Sequence, residues 1–174
     1  MPMEPTIRRA VTADANCLAA LAIQVWLHTY ATDGIRPALA DYVLTEFTEQ
    51  RFTERINDPM SVLLVAEIKQ HLVAYALLSL HAPCRTSAQG NVELATLYVQ
   101  AHFAGTGLGS ALLKHSQAWL RQGDAQARVW LSVWTHNPRA IDFYRKHQFE
   151  QVGTTQFEFG GERHENLVLL APGV

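Results

Sequence analysis

Three glycines alternate through Gly105-Thr106-Gly107-Leu108-Gly109, shortly after the apolar run Leu97-Tyr98-Val99 and at the head of a helical pattern. A helix N-terminus leaves backbone N–H groups without intrahelical partners and carries the positive end of the helix dipole, so it attracts an anion such as a pyrophosphate. Glycine lets that backbone approach the anion with no Cβ in the way; the same glycines can equally serve a tight turn and a close helix contact with no ligand. Spacing removes two familiar nucleotide loops. The P-loop needs Lys and then Ser or Thr after its last glycine, and here Ser110-Ala111 follow Gly109. The dinucleotide fingerprint needs a third glycine at position 110, where Ser110 stands.

One helix and one strand later comes Trp134-Thr135-His136-Asn137-Pro138-Arg139-Ala140-Ile141-Asp142-Phe143-Tyr144. Together the two segments resemble the acetyl-coenzyme A binding signature of the GNAT superfamily of N-acetyltransferases. Leu97 to Gly109 is similar to its pyrophosphate motif, and Asn137 through Phe149 to its second conserved segment. The resemblance implies acetyl-CoA as co-substrate, with coenzyme A as product. It implies that the backbone of Leu97, Tyr98 and Val99 pairs with the pantetheine arm and that Ala104, Gly105, Thr106, Gly107, Leu108, Gly109 and Ser110 hold the pyrophosphate. Asn137 would hydrogen-bond the cofactor arm, Ala140 and Phe143 would lie beside it, and Tyr144 would face the thioester sulfur. Two positions depart from the pattern. Ala104 stands where Arg or Gln often begins the pyrophosphate motif, and Gln148 stands where Gly usually precedes the final Phe, which asks a non-glycine residue to take a left-handed turn.

The implied activity is transfer of the acetyl group to a primary amine of a small molecule or peptide by direct attack. An alkylammonium titrates near pKa ~10, so a base or a water chain must remove a proton before attack. Glu93, at the start of the strand leading to the loop, resembles the position from which some relatives supply that base. Tyr144 is the candidate general acid for the departing thiolate, and the Val99 backbone N–H is a candidate to polarise the acyl carbonyl. Trp26 and Tyr30, with His28 between them, lie near the end of the first helix, beside the break that borders the acceptor site in such folds. The alternative function is a non-catalytic acyl-CoA-binding sensor or interaction module on the same fold; retention of Asn137 and Tyr144 argues against it. Binding of some other phosphate ligand is the third reading.

The elements that must position these residues are legible in outline. Thr6 to Val11 reads as a strand, Thr12 as an N-cap, and Ala13 to Tyr30 as a helix with a stripe of Leu18, Leu21, Ala22, Val25 and Trp26. Pro37 opens a two-part helical cap that ends at Asp58-Pro59. Val62 to Ile68 and Leu72 to His81 form a hairpin, Val92 to Val99 a strand, and the helix ending near Gln122 has a face of Leu108, Ala111, Leu112, His115 and Trp119. Arg128 to Trp134 is a strand, Pro138 to His147 a helix, and Phe149 to Phe159 pairs with Arg163 to Leu170 around Gly160-Gly161. This order reads βααββ-βα-βα-ββ. With the resemblance it implies one GNAT-like α/β (α+β) domain over residues 1–174, its central mixed, mostly antiparallel sheet of about seven strands flanked by about four helices.

Composition fits that expectation. A length of 174 residues suits one core, and 48% hydrophobic with 17% charged residues excludes disorder. A net charge of −2 gives no broad attraction for nucleic acid and leaves only a local basic patch open. Cys17 and Cys84 are too few for a disulfide framework or a zinc site, and none of the eight histidines has metal spacing; His102, His136 and His147 read as loop or helix-end residues. With no signal peptide and no run of the roughly 20 apolar residues that span a bilayer, the expected location is cytoplasmic, away from membranes. By fold analogy, the edges of the C-terminal hairpin, Gln156 to Leu169, offer a surface for a homodimer.

Overall fold

The computed structural model describes residues 4–173. Strand β1 (Thr6–Arg9) leads through a 3-10 turn (Thr12–Asp14) into α1 (Ala15–Tyr30). Thr12 is not the cap. The Asp14 carboxylate accepts the Val11 N–H at 2.8 Å and two bonds from the Arg8 guanidinium at 2.8 and 3.0 Å, and Arg8 also reaches Glu67 at 3.1 Å. An ionised acceptor tied to arginine outcompetes a hydroxyl for the chain turn. Leu18, Leu21, Ala22 and Trp26 are buried as their spacing predicts, while Ala15 and Ala19 rather than Val25 complete the face.

The two-part cap is two separate helices, and among the described residues the α-helices number five, in keeping with about four. α2 (Pro37–Glu46) carries proline in its first turn, and α3 (Glu49–Asn57) starts from Thr48, whose hydroxyl accepts the Arg51 N–H at 3.2 Å. β2 (Ser61–Ile68) and β3 (His71–Ser79) are joined by Lys69 and Gln70, both left-handed at φ 50° and 65°. That is the backbone a two-residue hairpin wants, reached here without glycine. β4 (Val92–Val99), a second 3-10 turn (Ala101–Phe103) and α4 (Leu108–Gly123) follow. Then come β5 (Val129–Trp134), α5 (Pro138–Lys146), β6 (Glu150–Phe159) and β7 (Glu162–Leu170).

The strands are hydrogen-bonded in the order β1-β2-β3-β4-β5-β7-β6. β1 is antiparallel to β2, and β7 is antiparallel to both β5 and β6; β4 runs parallel to β5 with Val92 opposite Val129 and Glu93 opposite Trp130. This is the mixed, mostly antiparallel sheet of an α/β chain.

The chain groups into two compact units: one holds the residues up to Leu78 and Thr96–Trp119, the other Ser79–Ala95 and the residues from Leu120 on. In the first, Leu18, Phe52, Val62, Leu64, Tyr75, Leu78, Leu112 and Leu113 are almost fully buried. In the second, the buried residues include Leu94, Leu131, Phe149, Val168 and Leu169. The buried face of α4 is rotated from the expected one: Leu108, Leu112, Leu113, Ser116 and Leu120 are covered, His115 is exposed and Trp119 lies half-buried under Arg9. Ser116 tolerates burial because its hydroxyl donates to the Leu112 carbonyl at 2.8 Å.

Candidate functional site

In the first unit the half-buried residues Leu97, Tyr98 and Val99 end β4, and the Gln100 N–H donates to the Val73 carbonyl at 2.9 Å. The following 3-10 turn is closed by Ala104 N–H to Ala101 at 3.1 Å, and the Phe103 carbonyl accepts the Thr106 hydroxyl at 2.6 Å. Gly105 and Gly107 then take φ of 78° and 86°, and a Cβ added at either would meet nothing within 4 Å. Both glycines are therefore required by backbone conformation, and the space their side chains would fill is open. Gly109 is helical, inside the first turn of α4. The Ala111 N–H makes a bond to the Gly107 carbonyl at 3.0 Å, so the amides of Leu108 and Gly109 precede it at the positive end of a 16-residue helix. Buried Leu108 anchors this end, while Gly105, Thr106 and Gly107 are exposed. Ala104 brings no charge or side-chain donor to the loop, so what the loop can offer an anion is its backbone donors and the helix dipole.

The same unit contains a continuous aromatic array. Trp26 stacks on Tyr42 and meets Tyr30, each at 4.7 Å; Tyr42 meets Phe47 at 5.9 Å, Phe47 meets Tyr98 at 6.5 Å, and Tyr98 meets Tyr75 at 5.5 Å. Trp26 and Tyr30 are thus linked by ring contacts to the strand bearing Tyr98, through Tyr42 and Phe47. Burial pushes the phenols of Tyr30 and Tyr42 up, so both stay protonated at neutral pH. Tyr42, which the sequence places only in the helical cap, is the ring that joins Trp26 to Phe47. His28 faces solvent.

In the second unit Glu93 is half-buried, and burial raises its carboxyl above the ordinary range. Asn137 caps α5: its side-chain oxygen accepts the Ala140 N–H at 3.2 Å, and its own N–H donates to the Trp134 carbonyl at 3.0 Å. The capping bond fixes the side chain and turns its Nδ2 donor away from Ala140. Tyr144 is buried between Phe143, at 5.2 Å, and Phe149, at 5.4 Å, and burial pushes its phenol well above the ordinary tyrosine value. It holds its proton throughout the physiological range. Phe143 packs on His147 at 4.7 Å. Gln148 does take the left-handed turn, at φ 63°, and the Phe149 N–H bonds the Tyr144 carbonyl at 3.1 Å.

The residues expected to form the site thus fall into two sets. Leu97 to Val99, the glycine loop and the Trp26–Tyr30 pair belong to one unit; Glu93, Asn137, Ala140, Phe143 and Tyr144 belong to the other. Among the described residues no group of three or more His, Cys, Asp or Glu is disposed to hold a metal ion, and no helix is long and apolar enough to cross a membrane.

A family model described as acetyltransferase (GNAT) family matches residues 23–149. An uncharacterized N-acetyltransferase of Mycobacterium tuberculosis is 33% identical over 157 residues, covering 90% of this chain and 96% of that protein. Among solved structures, the PaiA N-acetyltransferase from Thermoplasma acidophilum, determined in complex with coenzyme A, aligns with a TM-score of 0.73 at 18% identity over 95% of this chain and 98% of that one. A ribosomal-protein-alanine N-acetyltransferase from Brucella melitensis aligns with a TM-score of 0.70 at 23% identity, again over 95% and 98%.

Proposed function

Because the chain belongs to the acetyltransferase (GNAT) family, we propose that it transfers the acetyl group of acetyl-CoA to a primary amine of a small molecule or peptide by direct attack, residues 1–174 acting as one such domain in the cytoplasm. The observation that carries the reading is the pair of left-handed glycines with open space at each Cβ position, leading into the N-terminus of α4. Such a cradle suits the pyrophosphate of coenzyme A, bound by the backbone from Ala104 to Ser110, with Leu97, Tyr98 and Val99 along the pantetheine arm. Asn137, Ala140 and Phe143 complete the cofactor set.

When bound, acetyl-CoA supplies an acyl thioester open to attack by nitrogen, with coenzyme A leaving. The protein's part is to manage protons. Glu93, its carboxyl raised by burial, is a stronger base than an exposed glutamate and takes the proton that the acceptor nitrogen must shed, directly or through water. Tyr144 remains a neutral phenol and so holds a proton for the departing sulfur. Trp26 and Tyr30 line the acceptor's approach. The deciding experiment is a calorimetric titration of the purified protein with acetyl-CoA, ATP serving as control, followed by an amine panel read by release of the coenzyme A thiol. Binding with turnover supports the enzyme. Binding with no turnover of any amine favours the sensor, and no binding refutes the reading.

A further inference from the structure

One face of the second unit carries a polar group that nothing proposed so far uses. On β7, Asn166 lies opposite Trp134 of β5 and Thr155 of β6, and His164, two residues before it, lies opposite Phe157. Facing partners and i, i+2 neighbours share one side of a sheet, so these side chains form one surface. Its aromatic members touch: Trp134 meets His164 at 5.9 Å and His136 at 5.2 Å, and Phe157 meets His164 at 5.7 Å. Phe157, 38% exposed, is the open wall. The Asn166 side-chain oxygen is buried and accepts no hydrogen bond from any described residue. A buried carbonyl left so forfeits a hydrogen bond and is expensive to keep unless something donates to it. The surface also adjoins the proposed cofactor contacts, since the Trp134 carbonyl accepts the Asn137 N–H.

The geometry points to this surface as a specificity subsite for the acceptor, in which Asn166 accepts a hydrogen bond from a neutral amide N–H that the acceptor carries besides its reacting amine. The inference rests on the acetyltransferase reading. The chemistry of the walls selects an amide over a second ammonium. No carboxylate lies opposite Asn166 in either neighbouring strand, its chain neighbour Glu165 is exposed and alternates to the other side of the sheet, and Glu162 is 70% exposed and lies 3.8 Å from His164. Burying a cation beside one carbonyl and two imidazoles is costly, whereas an amide packs flat on indole and phenyl faces and needs only one acceptor for its N–H. Asn166 is accordingly a specificity-determining residue with no part in the bond-making step.

Two acceptors that differ at one atom test this: glycine N-methylamide and glycine methyl ester, in which oxygen replaces the N–H. Wild-type kcat/KM should favour the amide by about three- to tenfold, the worth of one neutral hydrogen bond. In Asn166→Leu the preference should collapse toward unity with acetyl-CoA affinity unchanged, and Asn166→Asp, which keeps an acceptor oxygen, should retain it. The leucine variant should melt no lower than wild type, because it removes a buried acceptor that no protein group satisfies. Equal use of amide and ester by wild type, use of neither while a simple alkylamine is acetylated, or an amide preference that survives Asn166→Leu would overturn the inference. A leucine variant that keeps the preference but melts several degrees lower would assign the oxygen to a structural water. Failure of the acetyltransferase reading itself looks different: acetyl-CoA would not bind, and no amine would be consumed.

Discussion

Replacing Tyr144 with phenylalanine separates chemistry from packing. The ring is held by Phe143 and Phe149 and is only 8% exposed, and phenylalanine preserves both ring contacts. The substitution removes one oxygen and should change unfolding free energy by no more than about 1 kcal/mol, the scale of a single hydrogen bond. If that oxygen supplies the proton for the departing thiolate, kcat should fall by about 10²- to 10⁴-fold, equivalent to about 2.7–5.5 kcal/mol in the barrier. KM for acetyl-CoA should stay within about threefold, since the general-acid interaction develops mainly in the transition state. The assay is thiol release at saturating acetyl-CoA and amine, with a denaturant melt on the same preparation. The pH profile adds a second check: because burial raises the phenol, wild type should keep its acidic form above the pH at which an ordinary tyrosine, near ~10, would lose it. An unchanged kcat in a stable Tyr144→Phe protein would refute the general-acid role.

Three further outcomes follow from the geometry. Gly107→Ala should destabilise the protein by about 1–2 kcal/mol through its φ of 86° alone, the added methyl meeting no atom, and should weaken acetyl-CoA binding at least about tenfold; Gly123→Ala, in ordinary helical backbone, is the neutral control. Unaltered calorimetric affinity in Gly107→Ala would mean that the ligand does not approach this backbone. Glu93, raised by burial, must be ionised to act as a base, so activity should fall as pH drops through its elevated pKa, and this acid limb should be missing in Glu93→Gln. The stability sign is opposite: the folded state binds this proton more tightly than the unfolded chain, so ionised Glu93 costs stability at neutral pH, and Glu93→Gln should melt higher at pH 7 but lose that advantage below about pH 4. Gln148→Gly should relieve the left-handed strain at φ 63° and, after the entropy glycine adds to the unfolded chain, raise stability by about 0.5–1 kcal/mol, or Tm by roughly 1–4 °C; a lower Tm would contradict it.

Backbone-driven features were the most legible in the sequence. The strained turn at Gln148, the glycine pair before α4 and the proline-led starts of α2 and α5 are each dictated by what one residue type permits, so they could be read one position at a time. Features decided by competition between side chains were harder. Thr12 is a sound N-cap by propensity, yet Asp14 takes the turn because Arg8, six residues earlier, holds its carboxylate. The buried face of α4 departs from its hydrophobic spacing because the Ser116 hydroxyl is satisfied within its own helix and so can be covered, while His115 stays in solvent. Tyr42 and Asn166 gave no signal, since both acquire meaning only from neighbours remote in sequence: Trp26 for one, Trp134 and His164 for the other.

The interleaving of the two units along the chain bears on how the protein is made. Neither unit is a contiguous stretch: the first is complete only when Thr96–Trp119 joins the residues up to Leu78, and the second needs Ser79–Ala95 together with the residues from Leu120 on. At a translation rate of about 5–20 residues per second, the β2–β3 hairpin waits on the order of 2–8 s for α4 after Leu78 has been added. Throughout that interval Val62 to Ala66 and Val73 to Leu78, which are buried in the finished protein, lack their full cover. A chain truncated anywhere between Leu78 and Trp119 therefore lacks part of both units, and it should be less soluble than the full chain on expression.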